Sequence, residues 1–147
     1  MTTMTGLDVL DNTIHKTNIW LKEVMEELGT DSRHEAYQAL RGTLHTLRDR
    51  LTVEEVAQLG AQLPMLVSAM YYEHWDPTGK PIKIRHKDEF LERVSEAFGR
   101  ATDLDAEQAA RAVFQVLAWR VSEGEMQDIA AILPTELREL WPEGRQR

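Results

Sequence analysis

Apolar side chains recur every three or four positions along most of the chain, which is the period of an α-helix. The first apolar stripe ends at Leu28, and Gly29 is suited to the left-handed turn that closes many helices. A second stripe starts near Ser32 and has these members on one face: Tyr37, Leu40, Leu44, Leu47 and Leu51. The pattern predicts an all-α protein.

Capping signals predict further helices. A hydroxyl residue followed three positions later by glutamate occurs twice, as Thr52 with Glu55 and as Ser122 with Glu125. In such a capping box the hydroxyl and the carboxylate satisfy unpaired backbone N–H groups, so we expect both glutamates to act as caps. Each of these helices ends before a proline, which is suited to be the first residue of a short fourth helix.

The two halves of the chain resemble each other. Residues 16–71 align with residues 86–141 without a gap, and 14 of the 56 positions are identical. A repeat of this length indicates one supersecondary unit used twice, each copy covering apolar surface of the other. We expect a tandem pseudo-two-fold repeat of two bundles of about four helices, packed as one compact domain. Its expected parts are repeat one at about 7–75, a linker at about 76–86 and repeat two at about 87–142.

Composition narrows the functional classes. The chain of 147 residues has no cysteine, which excludes disulfides and thiolate chemistry and fits a cytoplasmic protein. With 17 basic and 25 acidic residues its formal charge is −8, which disfavours binding to nucleic acid. No apolar run is long enough to cross a membrane, and the first 20 residues do not resemble a signal peptide.

The sequence offers only weak support for a catalytic or metal-binding site. His45 and Asp49 are spaced to share a metal, but the second copy has Gln115 and Trp119 there, and no Glu-x-x-His motif occurs. Two histidines and an aspartate flank the linker and are expected to be solvated: His74, Asp76 and His86. The paired carboxylates are expected on charged helix faces. We therefore expect no catalytic residue, no cofactor and no obligate metal.

Besides the capping-box glutamates, three charges occur in both copies and predict structural ion pairs. They are Glu26 and Glu96, Arg41 and Arg111, and Arg50 and Arg120. Arginine forms bidentate pairs with carboxylates between packed helices. We expect Glu26 to bind Arg41 or Arg50, and the same pairing in the second copy. The alternative is a pair of symmetric anion sites.

The linker is the candidate recognition surface. It carries Lys80, Lys83 and Arg85 directly after Tyr72 and Trp75, in a protein that is otherwise acidic. Cations beside aromatic rings are common in recognition surfaces. The alternative interpretation is a solvated linker whose aromatic residues pack beneath it as part of the core.

One stretch of sequence carries a resemblance to a family. The segment LPMLVSAMYYEHWDPTGKPIKIRHKDEFLERV, followed by a second LP-x-x-L-x-x-L-W, resembles the bacterial family known as domain of unknown function 2267. The resemblance covers about residues 8–141, and its most specific part runs from Trp75 to Pro81. It implies an all-helical, soluble, bacterial protein, and it brings no activity, substrate or catalytic residue.

Two function classes follow from these observations. The first is a non-catalytic interaction or adaptor module that uses the linker to bind a protein partner, a second copy of the chain included. The alternative is a ligand-binding protein or enzyme with a cleft between the repeats. A concave pocket with perturbed carboxylates or histidines would favour the alternative, and a convex charged surface would favour the adaptor.

Overall fold

The computed structural model describes residues 4–99 and 103–144. Within these residues the chain forms eight α-helices and no strand, which confirms the all-α prediction. The helices are α1 (Asp8–Leu28), α2 (Arg33–Arg50), α3 (Val53–Gly60), α4 (Met65–Tyr72), α5 (Lys87–Ala97), α6 (Ala106–Arg120), α7 (Glu123–Ile132) and α8 (Thr135–Arg138). None of them combines the length and the apolar character that crossing a membrane requires.

Local signals account for the helix ends. Gly29 closes α1 with a φ of 70°, and the Ser32 hydroxyl accepts a hydrogen bond from the Glu35 N–H at the start of α2. Pro64 is the N-cap of α4 rather than its first residue, so that helix begins one position later than predicted. Pro134 does the same before α8.

The long helices α2 and α6 lie at the centre of the molecule. Each contacts the other, and both also contact α1 and α5. Leu40, Leu44 and Leu47 of α2 are fully buried, as the apolar stripe predicted. Tyr37 is 39% exposed, so its predicted place on this stripe is wrong. Ala36 is buried instead, because it lies four residues before Leu40 on the same side of the helix.

Candidate functional site

Residues 73–86, which we call the strap, join α4 to α5 and are held by the last turn of α2. Arg48 is buried, and its Nη1 donates hydrogen bonds to the carbonyls of Tyr71 and Glu73. Its Nε contacts Asp49 Oδ1 at 3.1 Å. Arg48 was not among the predicted site residues, although an arginine four residues after Leu44 on an apolar stripe is a signal of a buried cation.

The next two residues of α2 bind the middle of the strap. The Asp49 carbonyl accepts the Ile82 N–H at 2.8 Å, and Arg50 Nε donates to the Ile84 carbonyl at 2.8 Å. Ile84 is 4% exposed, and Ile82 packs against the core at partial burial. The two isoleucines are therefore part of the core, and the strap is fixed to α2 by its backbone.

Packing also accounts for Trp75. Its ring is partly buried against the core. Two cations lie near the ring, with Arg48 Cζ at 5.5 Å and Lys80 Nζ at 5.6 Å from its centroid. The Tyr72 hydroxyl is 3.4 Å from the Val56 carbonyl, and its ring is 37% exposed. The structure therefore gives Trp75 a structural environment and leaves part of Tyr72 at the surface.

The outward side of the strap is basic. Lys83 and Arg85 are exposed and alternate with the inward-facing Ile82 and Ile84. Burial, and secondly the positive charge of Arg85, lower the pKa of Arg50. The ion pairs found across residues 4–99 and 103–144 include none of Arg50, Lys83 and Arg85. We call these three residues the basic face.

The predicted pairings of the repeated charges are wrong. Arg41 binds Glu73 rather than Glu26, with 2.9 Å between Nε and Oε1. Hydrogen bonding to Arg41 lowers the pKa of Glu73. Arg111 binds Glu107 one turn earlier on α6, at 2.9 Å, rather than Glu96. The reason is orientation, because Glu26 and Glu96 lie on exposed faces of their helices.

A buried carboxylate outside the repeated set joins the two halves of the chain. Glu23 of α1 is 3% exposed and binds Arg120 of α6 through two bonds, of 2.8 Å and 2.6 Å. Hydrogen bonding to Glu23 raises the pKa of Arg120. The second copy has Arg93 at the position of Glu23, so the internal comparison did not select it. Its place three residues after the buried Trp20 was the available signal.

The two capping-box glutamates meet each other between α3 and α7. The cap hydroxyls behave as predicted, because Thr52 Oγ1 and Ser122 Oγ accept the N–H groups of Glu55 and Glu125. The return bond of the second box is made by another residue, since the Ser122 N–H donates to Gln62 Oε1 at 2.8 Å.

Both glutamates are buried, at 7% for Glu55 and 4% for Glu125, so the prediction of a charged helix face is wrong for Glu55. One carboxylate oxygen of each, Oε2, is buried and has no hydrogen-bond partner. Carboxylate oxygens of Glu55, Glu125 and the exposed Asp128 lie within 4.8 Å of one another, and we call these three residues the carboxylate cluster. Burial first, then the Glu55 carboxyl, raise the pKa of Glu125 to about 8.

Two histidines, His45 and His86, have local partners. His45 Nε2 lies 2.7 Å from the Met70 carbonyl, so this nitrogen donates a hydrogen bond there, and burial lowers the pKa of His45. His86 Nδ1 is 2.5 Å from Glu136 Oε2, and that bond raises the pKa of His86. Neither bond resembles the arrangement of a nucleophile and its base.

An open groove of about 620 Å³ lies between the end of α1 and the helices α6 and α8. Charged and amide side chains dominate its lining, including Glu27, Gln108 and Arg138. Arg111, also in the lining, already binds Glu107 and the Glu139 carbonyl. The carboxylate cluster is not among the residues that line this groove.

The family match covers most of this architecture. The model of an uncharacterized conserved protein family, DUF2267, matches residues 17–140. The chain belongs to the DUF2267 family. This match includes the strap, the basic face and the carboxylate cluster, and the family description assigns no activity to any of them. Comparison with curated proteins found no match.

Proposed function

We propose that this DUF2267 protein is a non-catalytic interaction module that binds an acidic protein surface through its basic face. The observation that carries the proposal is the placement of Arg50 and Arg85. Their charges are close enough to affect each other, and the ion pairs of the described residues leave both without a carboxylate. A carboxylate from a partner relieves that repulsion and forms charge-assisted hydrogen bonds.

The rigidity of the strap supports this proposal. Arg50 is oriented by its bond to the Ile84 carbonyl, and Arg85 follows directly on a segment anchored by two buried or partly buried isoleucines. A surface that is already ordered loses less conformational entropy on binding. Lys83 extends the positive charge of this surface, and Lys80 lies 5.6 Å from the Trp75 ring in the same strap.

The chemistry of the partner follows from the charge of the whole chain. With a formal charge of −8, the protein repels nucleic-acid phosphates over most of its surface. A folded acidic protein presents its carboxylates in a local patch, which can contact the basic face although the net charge of the chain is negative. A second copy of the chain is one such surface, and self-association is therefore one outcome of the test.

The test compares two charge reversals of equal size. The strap variant, Lys83→Glu with Arg85→Glu, reverses two of the three charges of the basic face. The α1 variant, Lys16→Glu with Lys22→Glu, changes the exposed face of α1 by the same net charge. We expect the wild type and the α1 variant to bind a fluorescent polyglutamate peptide and to capture the same proteins from cell lysate. The strap variant should bind the peptide at least tenfold more weakly and lose the captured proteins.

Equal binding by all three proteins, at equal sensitivity to salt, would contradict the proposal. Sedimentation of the wild type and the strap variant tests the second copy as partner. A dimer that dissociates in the strap variant assigns the basic face to self-association.

The ligand-binding alternative has weaker support. Both halves of the chain contribute to the groove of about 620 Å³, but it is open and its Arg111 is already paired. Both arginines of its lining are bonded within the chain, since Arg138 also donates to Thr135 Oγ1, whereas the basic face offers three cations without a carboxylate partner among the described residues.

The internal repeat forms part of the same proposal. We propose that α1–α4 and α5–α8 are two copies of one unit, related by a pseudo-two-fold axis within one cooperative domain. The hydroxyl caps at Thr52 and Ser122 and the proline N-caps at Pro64 and Pro134 support this relation. A single unfolding transition seen by both circular dichroism and tryptophan fluorescence is expected. A cytoplasmic location is likewise a prediction, testable by cell fractionation.

A further inference from the structure

The carboxylate cluster brings three acidic residues to one point without a cation from the chain. Glu55 and Glu125 come from α3 and α7, and Asp128 lies one turn after Glu125. Across the described residues 4–99 and 103–144, no lysine or arginine forms an ion pair with any of the three. Three acidic side chains without a basic partner are unfavourable at a partly buried site unless a proton or a cation neutralises them.

The buried oxygens strengthen this argument. Oε2 of Glu55 and Oε2 of Glu125 are both buried and lack a hydrogen-bond partner, on side chains that are at least nine-tenths buried. Burial and the neighbouring Glu55 carboxyl raise the pKa of Glu125, so the pair keeps a proton when no cation is bound. Both Oε2 atoms become ligand positions when a cation replaces that proton, and their burial without a partner is a separate observation from the clustering itself.

We infer that the carboxylate cluster binds a divalent cation with a preference for oxygen ligands, at the junction of α3 and α7. The donor set contains only carboxylate oxygens, which favours calcium, magnesium or manganese over zinc or copper. Exposed Asp128 provides the path from solvent and leaves room for water ligands.

The spacing of the cluster is compatible with one bound divalent ion. Its three ligand oxygens lie within 4.8 Å of one another. Oxygens on opposite sides of a calcium ion are separated by roughly 4.6–5.2 Å and those of a magnesium ion by roughly 4.0–4.2 Å, and other pairs of ligands are closer. We expect calcium to bind more tightly because it accepts irregular sets of oxygen ligands, whereas magnesium requires nearly octahedral geometry and loses its water reluctantly.

The helix dipoles oppose this binding but do not outweigh the carboxylates. Glu55 and Glu125 are the third residues of α3 and α7, where each helix N-terminus contributes about half a positive charge. A bound cation replaces the proton held by Glu125, and the three carboxylates then outweigh the two half-charges of the helix ends.

The experiment is calcium titration by isothermal calorimetry after removal of metals with a chelator. The matched pair of variants is Glu55→Gln with Glu125→Gln, and Glu54→Gln with Glu123→Gln, which changes two exposed neighbours by the same charge. We expect one calcium per chain in the wild type and the control. The buried variant should bind at least tenfold more weakly, and magnesium should bind more weakly than calcium.

Asp128→Asn is the second variant, because an exposed side chain can be changed without loss of the fold. It should weaken calcium binding several-fold. The inference is overturned if the wild type shows no saturable binding up to 5 mM calcium, in which case the two glutamates share a proton instead. It is also overturned if Asp128→Asn binds like the wild type, or if the exposed control loses as much affinity as the buried variant.

Discussion

Replacement of Arg48 tests whether the strap depends on one buried guanidinium. Arg48 donates to two backbone carbonyls, of Tyr71 and Glu73, and its guanidinium carbon lies 5.5 Å from the centroid of the Trp75 ring. A hydrogen bond from a charged donor contributes about 1.5–3 kcal/mol, and a buried acceptor left unpaired costs about 1–3 kcal/mol. For Arg48→Ala we therefore expect the free energy of unfolding to fall by about 3–5 kcal/mol.

The choice of replacement separates hydrogen bonding from packing. Arg48→Met keeps most of the apolar stem but leaves the carbonyls of Tyr71 and Glu73 without their donor. If the hydrogen bonds contribute most of the effect, Arg48→Met should still lower the free energy of unfolding by about 2–3 kcal/mol. Arg93→Ala, at an exposed position of α5, is the control and should change stability by less than about 0.5 kcal/mol.

The assay is urea unfolding followed by circular dichroism, because the expected loss is a large part of the roughly 5–15 kcal/mol of a typical domain. Hydrogen exchange of the peptide covering residues 73–86 is the second measurement. The Ile82 N–H is bonded to the Asp49 carbonyl, so its protection should fall if the strap detaches. A methionine variant as stable as the wild type, with unchanged exchange in the strap, would refute the reasoning.

Two further predictions concern buried carboxylates. The pKa of Glu125 is raised to about 8, so between about pH 4.5 and 8 the unfolded carboxyl is ionised while the folded one holds its proton. The free energy of unfolding attributed to this group should fall as pH rises through that window, by about 1.4 kcal/mol per unit, and Glu125→Gln should remove the slope. The measurement is urea unfolding of the wild type and of Glu125→Gln at several pH values in the presence of a chelator. The same dependence of the free energy of unfolding on pH in both proteins would contradict this prediction. Arg120→Ala should cost about 3 kcal/mol, because it removes the guanidinium from buried Glu23, whereas Glu23→Gln should cost less, because Arg120 is partly exposed and can reach water. Both variants are compared by thermal and urea unfolding. If Arg120→Ala and Glu23→Gln lower the free energy of unfolding equally, the burial of Glu23 does not determine the cost.

Local sequence determined the helices because their signals depend on neighbours along the chain. The apolar period of α2, the left-handed Gly29 and the hydroxyl caps at Ser32, Thr52 and Ser122 each act within one turn. These features require no knowledge of distant residues, and the structure has them where the sequence placed them.

Tertiary structure decided which charged groups meet, because that depends on how helices far apart in sequence are oriented. Glu55 reads as a helix cap until α7 brings Glu125 against it, and Glu23 reads as a surface charge until α6 brings Arg120. Arg41 pairs with Glu73 because α4 ends beside α2, and Glu73 lies outside the segment 16–71 that the internal repeat covers. Sequence by itself therefore determined an all-α chain with a basic strap, and only packing turned two capping residues into a buried carboxylate pair.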